Sequence, residues 1–244
     1  MLPAPTFTDL PSPPHAGPPA EAGGPEAPHD FALTLRRARL LADWSAAEAP
    51  WAARMAELLL TQDGSATRLC EQVAGGPVGL IVHHQRALTA AEAPPEVRAS
   101  LPGDGFIERL VTLHAHGEVM MDNLSWLAPE ALAPDIRAEL AAGRTPIGHL
   151  LARMWIRRVA QPTTPALAGR LWQQVGLPDL GATRSYLIAV PAPQGAVDPT
   201  HAAPGRPAMF ITECFRRGLL RPRPADPAKE GVLSQTGVSY SFAR

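Results

Sequence analysis

"GFIERLVTLHAHGEVMMDNLSWLA", residues 105–128, places two apolar runs on either side of His116-Gly117. Each run has strand length, and a two-residue Gly-containing break between such runs predicts a β-hairpin. Working outward, "PVGLIVHHQRAL" (77–88), "RMWIRRVAQ" (153–161), "TRSYLIAVP" (183–191) and "PAMFITECFRR" (207–217) read as further strands. Helical spacing predicts helices over 31–44, from Ser45 to about Leu60, over 65–74, 129–143 and 166–177, with a helical turn after Pro146. Glu48 stands three residues after Ser45, a capping-box signature. Asp63-Gly64 makes a turn, Ser65 caps the next helix, and Gly75-Gly76 ends it. Pro94 and Pro95 sit in a loop. The predicted class is therefore α+β, a mostly antiparallel sheet of about six strands with helices packed on it.

Composition sets the boundaries of function. The 244 residues suffice for one domain with a sizeable core or for two very small ones. The formal net charge of -1 offers no global basic field for nucleic acid. Two cysteines, Cys70 and Cys214, fit a reducing cytosol and rule out a disulfide scaffold. No apolar run approaches the ~18–20 residues of a membrane span, and no signal peptide is recognisable. Nine of the 28 prolines fall in the first 28 residues. A Pro-rich disordered tail is expected over 1–30, a folded domain over 31–217, and an irregular C-terminal tail over 218–244.

Strand parity singles out two charges. Successive strand residues point to opposite faces. Met209, Ile211, Glu213 and Phe215 therefore share one face, and Ile107, Arg109, Val111 and Leu113 share another. Each face is apolar apart from one ionisable residue, and the two charges are opposite. An isolated charge in a dry interior costs several kcal/mol. Either Arg109 and Glu213 face one ligand cavity, or they form a buried structural ion pair. His114-x-His116 has metal-pair spacing, but its parity is opposite to Arg109 and no carboxylate cluster follows, so no metal is expected. Cys214 points away from Glu213's face and reads as core rather than nucleophile. The basic pairs of "WIRRVAQ" and "FRRGLLRPRPAD" read as solvated ends.

Several blocks, in order, resemble the chorismate pyruvate-lyase family. They are "LLLTQDGSATRLCEQ" (58–72), "ERLVTLHAHGE" (108–118), "GRTPIGHLL" (143–151), "TRSYLI" (183–188) and "MFITECF" (209–215). The resemblance implies a six-stranded antiparallel sheet enclosing an internal ligand cavity beneath two helical flaps. It implies a cytoplasmic, cofactor-independent lyase releasing 4-hydroxybenzoate and pyruvate from chorismate, upstream of ubiquinone biosynthesis. In that family the strand arginine binds the ring carboxylate, which maps to Arg109. The Thr-Glu glutamate contacts the hydroxyl end of the product, which maps to Glu213. Backbone N–H groups that hold ligand map to Ala66 and Ile147, both at predicted helix starts, where such groups favour anions. The family's second arginine falls at Leu124, with Asn123 beside it, so another cation would have to meet a second carboxylate.

The expected partner is a small aromatic carboxylate or chorismate, bound by a monomer, with no nucleic acid and no stable membrane insertion. The alternative on the same fold is a non-catalytic binder or sensor of an aromatic carboxylate. The fold also serves as the effector-sensing domain of some bacterial transcription regulators. The Pro-rich head offers no helix-turn-helix.

Overall fold

The computed structural model describes residues 35–191 and 205–220. Six antiparallel strands form one sheet among these residues: β1 (Gly79–Thr89), β2 (Gly105–Ala115), β3 (Glu118–Leu127), β4 (Arg157–Gln161), β5 (Thr183–Val190) and β6 (Arg206–Phe215). Their order is β1-β2-β3-β6-β5-β4. The helices are α1 (Ala49–Thr61), α2 (Ala66–Ala74), α3 (Pro95–Ser100), α4 (Pro134–Ala142), α5 (Ile147–Leu151) and α6 (Pro165–Val175). The fold is the α+β class that the strand pattern predicts. The Pro-rich head, most of the 191–207 loop and nearly all of the C-terminal tail lie outside the described residues.

The β2–β3 hairpin turns at His116 (φ 52°) and Gly117 (φ 74°). Two successive left-handed residues match the twist of the flanking strands. The register then builds rows across the sheet. Val111, Asn123, Glu213 and Arg184 form one row, and Gln85, Arg109, Ser125, Ile211, Tyr186 and Ala160 form the next. Both rows lie on the same face, because their members are two residues apart along each strand.

Both faces of the sheet are covered. Helices α4 and α5 pack Ile136, Leu140, Ile147 and Leu150 against Tyr186, Ile188, Met209 and Ile211. On the other face α6 and α3 bury Leu167, Leu171 and Val97 near Trp126 and Phe210. Parity arguments therefore miss a set of charges. Glu108 and Asp122 are as buried as Arg109. Glu108 accepts from Arg86, Trp126 and His84 and pairs with Arg170. Asp122 accepts from Arg37, Arg216 and Thr112.

Residues 35–44 do not form the predicted helix. Arg36 N–H donates to the Gly117 carbonyl, and Val119 N–H donates to the Arg36 carbonyl, both at 2.9 Å. Extended backbone here carries Arg37 to the buried Asp122, and that pairing overrides helix propensity. Ser45 and Glu48 do meet, the Ser45 N–H and hydroxyl both donating to the Glu48 carboxylate, but the N-cap of α1 is Glu48 and no side chain caps it. The predicted loop at Pro94-Pro95 instead holds α3, with Pro95 in its first turn. Of the predicted strand 153–161 only Arg157–Gln161 pairs.

Candidate functional site

Five strands and two helix starts converge on one cavity. Ser65, Ala66 and Thr67 from α2, and Pro146, Ile147 and Gly148 from α5, line one wall. Asn123, Glu213, Tyr186 and Arg158 line the sheet side, among Val111, Leu113, Met121 and Ile211. The α2 start is set by Ser65, whose hydroxyl accepts from Arg68 N–H. Gly148 lets the two helix starts approach. A Cβ there would lie 2.6 Å from Thr67 Cβ and 2.8 Å from Ser65 Oγ.

Glu213 is 1% exposed. Its charge is met by Arg184, not by Arg109. Arg184 Nε donates to Oε1 at 2.7 Å, and Nη2 stands 2.6 Å from the same oxygen. The Tyr186 hydroxyl donates to Oε2 at 3.1 Å, and the Asn123 amide approaches that oxygen at 3.5 Å. Burial, then the Glu213 charge, push the Tyr186 hydroxyl well above its ordinary range, so it acts as a neutral donor. Arg184 Nη1 also donates to the carbonyls of Leu59, Leu60 and Gln62, tying the end of α1 to the site. Its guanidinium lies 5.0 Å from the centre of the Phe215 ring and 5.4 Å from that of Tyr186.

Arg109 is fully buried and its position differs from the expectation. It is not among the residues lining the cavity, and it does not face Glu213. It lies one row along the same sheet face. Nη2 donates to the carbonyls of Thr145 (3.1 Å) and Gly143 (3.3 Å), in the link between α4 and α5. Nε and Nη1 are enclosed without an acceptor, and Oε1 of Gln85, its neighbour in the row, is enclosed without a donor. Burial lowers the pKa of Arg109, with no carboxylate opposing the shift.

Of the four residues singled out from sequence, Ala66, Ile147 and Glu213 line one cavity and Arg109 sits beside it. Leu124 is fully buried on the opposite face, paired with Leu110 and Thr212. Asn123 takes the cavity position, and its Oδ1 has no donor. Sequence reading passed over Arg184 and Arg158. Parity could have found Arg184, which shares a face with Tyr186 and Ile188. Arg158 was hidden in a basic pair that reads as solvated.

Other candidates recede. Both cysteines are free and buried. Burial pushes the Cys70 thiol far up and that of Cys214 up to about 11, so neither is a nucleophile. His116 contacts the Ala74 carbonyl. No group of three metal-ligating side chains occurs among the described residues, and no helix there is long and apolar enough to cross a membrane.

No family model matches the sequence, and no curated protein matches it. Solved structures show distant likeness. The C-terminal domain of the histidine utilization repressor from Pseudomonas syringae pv. tomato is 13% identical, with a TM-score of 0.34, covering 61% of this chain and 98% of that one. A GntR-family transcriptional regulator from Bacillus cereus is 10% identical, at 0.34, with the same coverage of 61% and 98%. A GntR-family regulator from Enterococcus faecalis is 7% identical, at 0.34, covering 61% and 100%. Likeness at this level transfers no site residue to this chain.

Proposed function

We propose that this domain binds a small hydroxylated aromatic carboxylate and acts as a binder or sensor rather than as a lyase. One observation carries the reading: Arg109 is a fully buried cation with two nitrogens, Nε and Nη1, lacking an acceptor, and no carboxylate offsets it. A buried charge in that condition costs several kcal/mol unless an anion joins it. A planar guanidinium suits a carboxylate, which it can grip bidentately. The ligand's hydroxyl would be read by Glu213 and Asn123 Oδ1.

Glu213 favours recognition over chemistry. Every protein contact to it comes from a donor, and Arg184 already balances its charge. It is therefore organised to accept a hydrogen bond from a ligand hydroxyl. The lyase reading would require this same carboxylate to act at the ether oxygen of chorismate.

Titration of the full chain with 4-hydroxybenzoate tests the proposal, followed by incubation with chorismate while aromatic product and pyruvate are monitored together. Saturable binding of 4-hydroxybenzoate without pyruvate release is expected. Pyruvate appearing in step with the aromatic product would restore the lyase reading, and absence of binding would remove both.

A further inference from the structure

We infer that Arg158, on edge strand β4, is a second anion-reading residue at the cavity, so that the preferred ligand carries two anionic groups. The inference rests on the binder reading above and adds the charge class of the ligand.

The register places Arg158 opposite Ile188, two residues before Ala160, which stands opposite Tyr186. Arg158 is thus on the cavity face, while its exposed neighbour Arg157 is not. It lines the cavity together with Tyr186 and Glu213. Nη1 is pinned at 2.8 Å to the carbonyl of Asp63, in the turn that precedes α2. Nε is enclosed and has no acceptor. A guanidinium fixed at one end with a free N–H at the other is pre-organised to receive an anion.

Charge balance gives the ligand class. Glu213 and Arg184 cancel. Arg109 and Arg158 each keep a full charge, with no ion-pair partner among the described residues. A monoanion satisfies one of them and leaves the other uncompensated. A dianion satisfies both. The competing account makes Arg158 only a latch on the Asp63 turn, which predicts equal losses for every ligand when it is removed.

The full-length wild type and R158Q are titrated with 4-hydroxybenzoate as the monoanion, and with 4-hydroxyphthalate and 5-hydroxyisophthalate as dianions. The wild type should bind at least one dianion about tenfold more tightly than 4-hydroxybenzoate, as one added charge-assisted contact allows. R158Q should erase that preference, costing the favoured dianion about tenfold more affinity than it costs 4-hydroxybenzoate. If the wild type binds the monoanion but favours neither dianion, or if R158Q weakens all three alike, the inference is overturned and the binder reading survives. If the wild type binds none of the three, the binder reading itself falls. Should R158Q fail to fold, salt dependence of the wild type decides. The preferred dianion must lose affinity with added salt more steeply than the monoanion, and equal slopes overturn the inference.

Discussion

Arg184 and Glu213 stand directly opposite one another on β5 and β6, and the guanidinium holds one carboxylate oxygen through Nε at 2.7 Å. The pair is nearly solvent-free, with side-chain exposures of 11% and 1%. It sits in the wall of the cavity, so it fixes the position of an acceptor that a ligand can read. Removing one member leaves the other buried and unpaired. Arg184→Ala should therefore cost roughly 3–5 kcal/mol of stability. It also frees three carbonyls at the end of α1. Urea titration checks this, and the double replacement R184M/E213L should recover most of the loss. A single-variant loss below about 1 kcal/mol would place the pair in effectively solvated surroundings.

Arg109 should behave in the opposite way. No carboxylate is stranded when it is removed, and an uncompensated buried charge disappears. Arg109→Met should match the wild type in ligand-free stability to within about 1 kcal/mol, or exceed it. Binding of 4-hydroxybenzoate should be lost. Melting and titration on the same sample check both halves. A large melting loss with unchanged affinity would reverse the assignment.

Strand parity made much of this legible, and its failures have physical causes. The period-2 pattern in 105–128 and 207–217 located the hairpin, β6 and the burial of Arg109 and Glu213. It could not show which charges meet, because that depends on strand order. β6 lies between β3 and β5, so Glu213 meets Arg184 on one side and Asn123 on the other. Parity also assumes one wet face. Here both faces are covered, and Glu108 and Asp122 vanish into arginine clusters that no single strand reveals. The failed helix at 35–44 has a similar origin, since its apolar spacing carries no trace of Asp122, 85 residues beyond Arg37.

His83 should set part of the acid response. Its Nε2 lies 2.8 Å from Thr112 Oγ1, which in turn donates to Asp122. Burial lowers its pKa, and Arg37 and His84 add to the shift while Asp122 opposes it. A depressed folded value means that the neutral form is favoured in the fold. The stability this contributes is present above the unfolded value, ~6.5, and is lost as pH falls through the folded one. His83→Gln should flatten the decline in stability below about pH 6.5. Chemical denaturation at stepped pH checks the slope, and an unchanged slope assigns the decline to other groups.

Gly148→Ala tests the closure of the cavity. The added methyl meets Thr67 and Ser65 at distances no real Cβ tolerates, and Thr67 is buried. The starts of α2 and α5 must then separate. A loss of about 1–3 kcal/mol is expected, as for other overpacked sites, together with weaker binding of 4-hydroxybenzoate. Full stability with unchanged affinity would mean that the helices move apart freely and do not shape the site.

Asn123 gives the sharpest test of how the hydroxyl is read. It lies between Val111 and Glu213 in one row of the sheet and carries no charge. Its Oδ1 is enclosed in the cavity wall with no donor. A ligand hydroxyl would satisfy that oxygen or Glu213. A ligand without one would leave a buried acceptor unmet, at a cost of about 1–3 kcal/mol. The wild type should therefore prefer 4-hydroxybenzoate over benzoate by roughly 5- to 150-fold. Asn123→Leu removes the acceptor but leaves Arg109 in place, so the carboxylate end of the ligand is still held. Benzoate affinity should hold steady or rise, while 4-hydroxybenzoate affinity falls, and the ratio should shrink severalfold. Parallel titrations of both ligands on both proteins give the ratio directly. If it does not change, Glu213 alone reads the hydroxyl, and if the wild type shows no preference, the hydroxyl end of the proposed ligand is wrong.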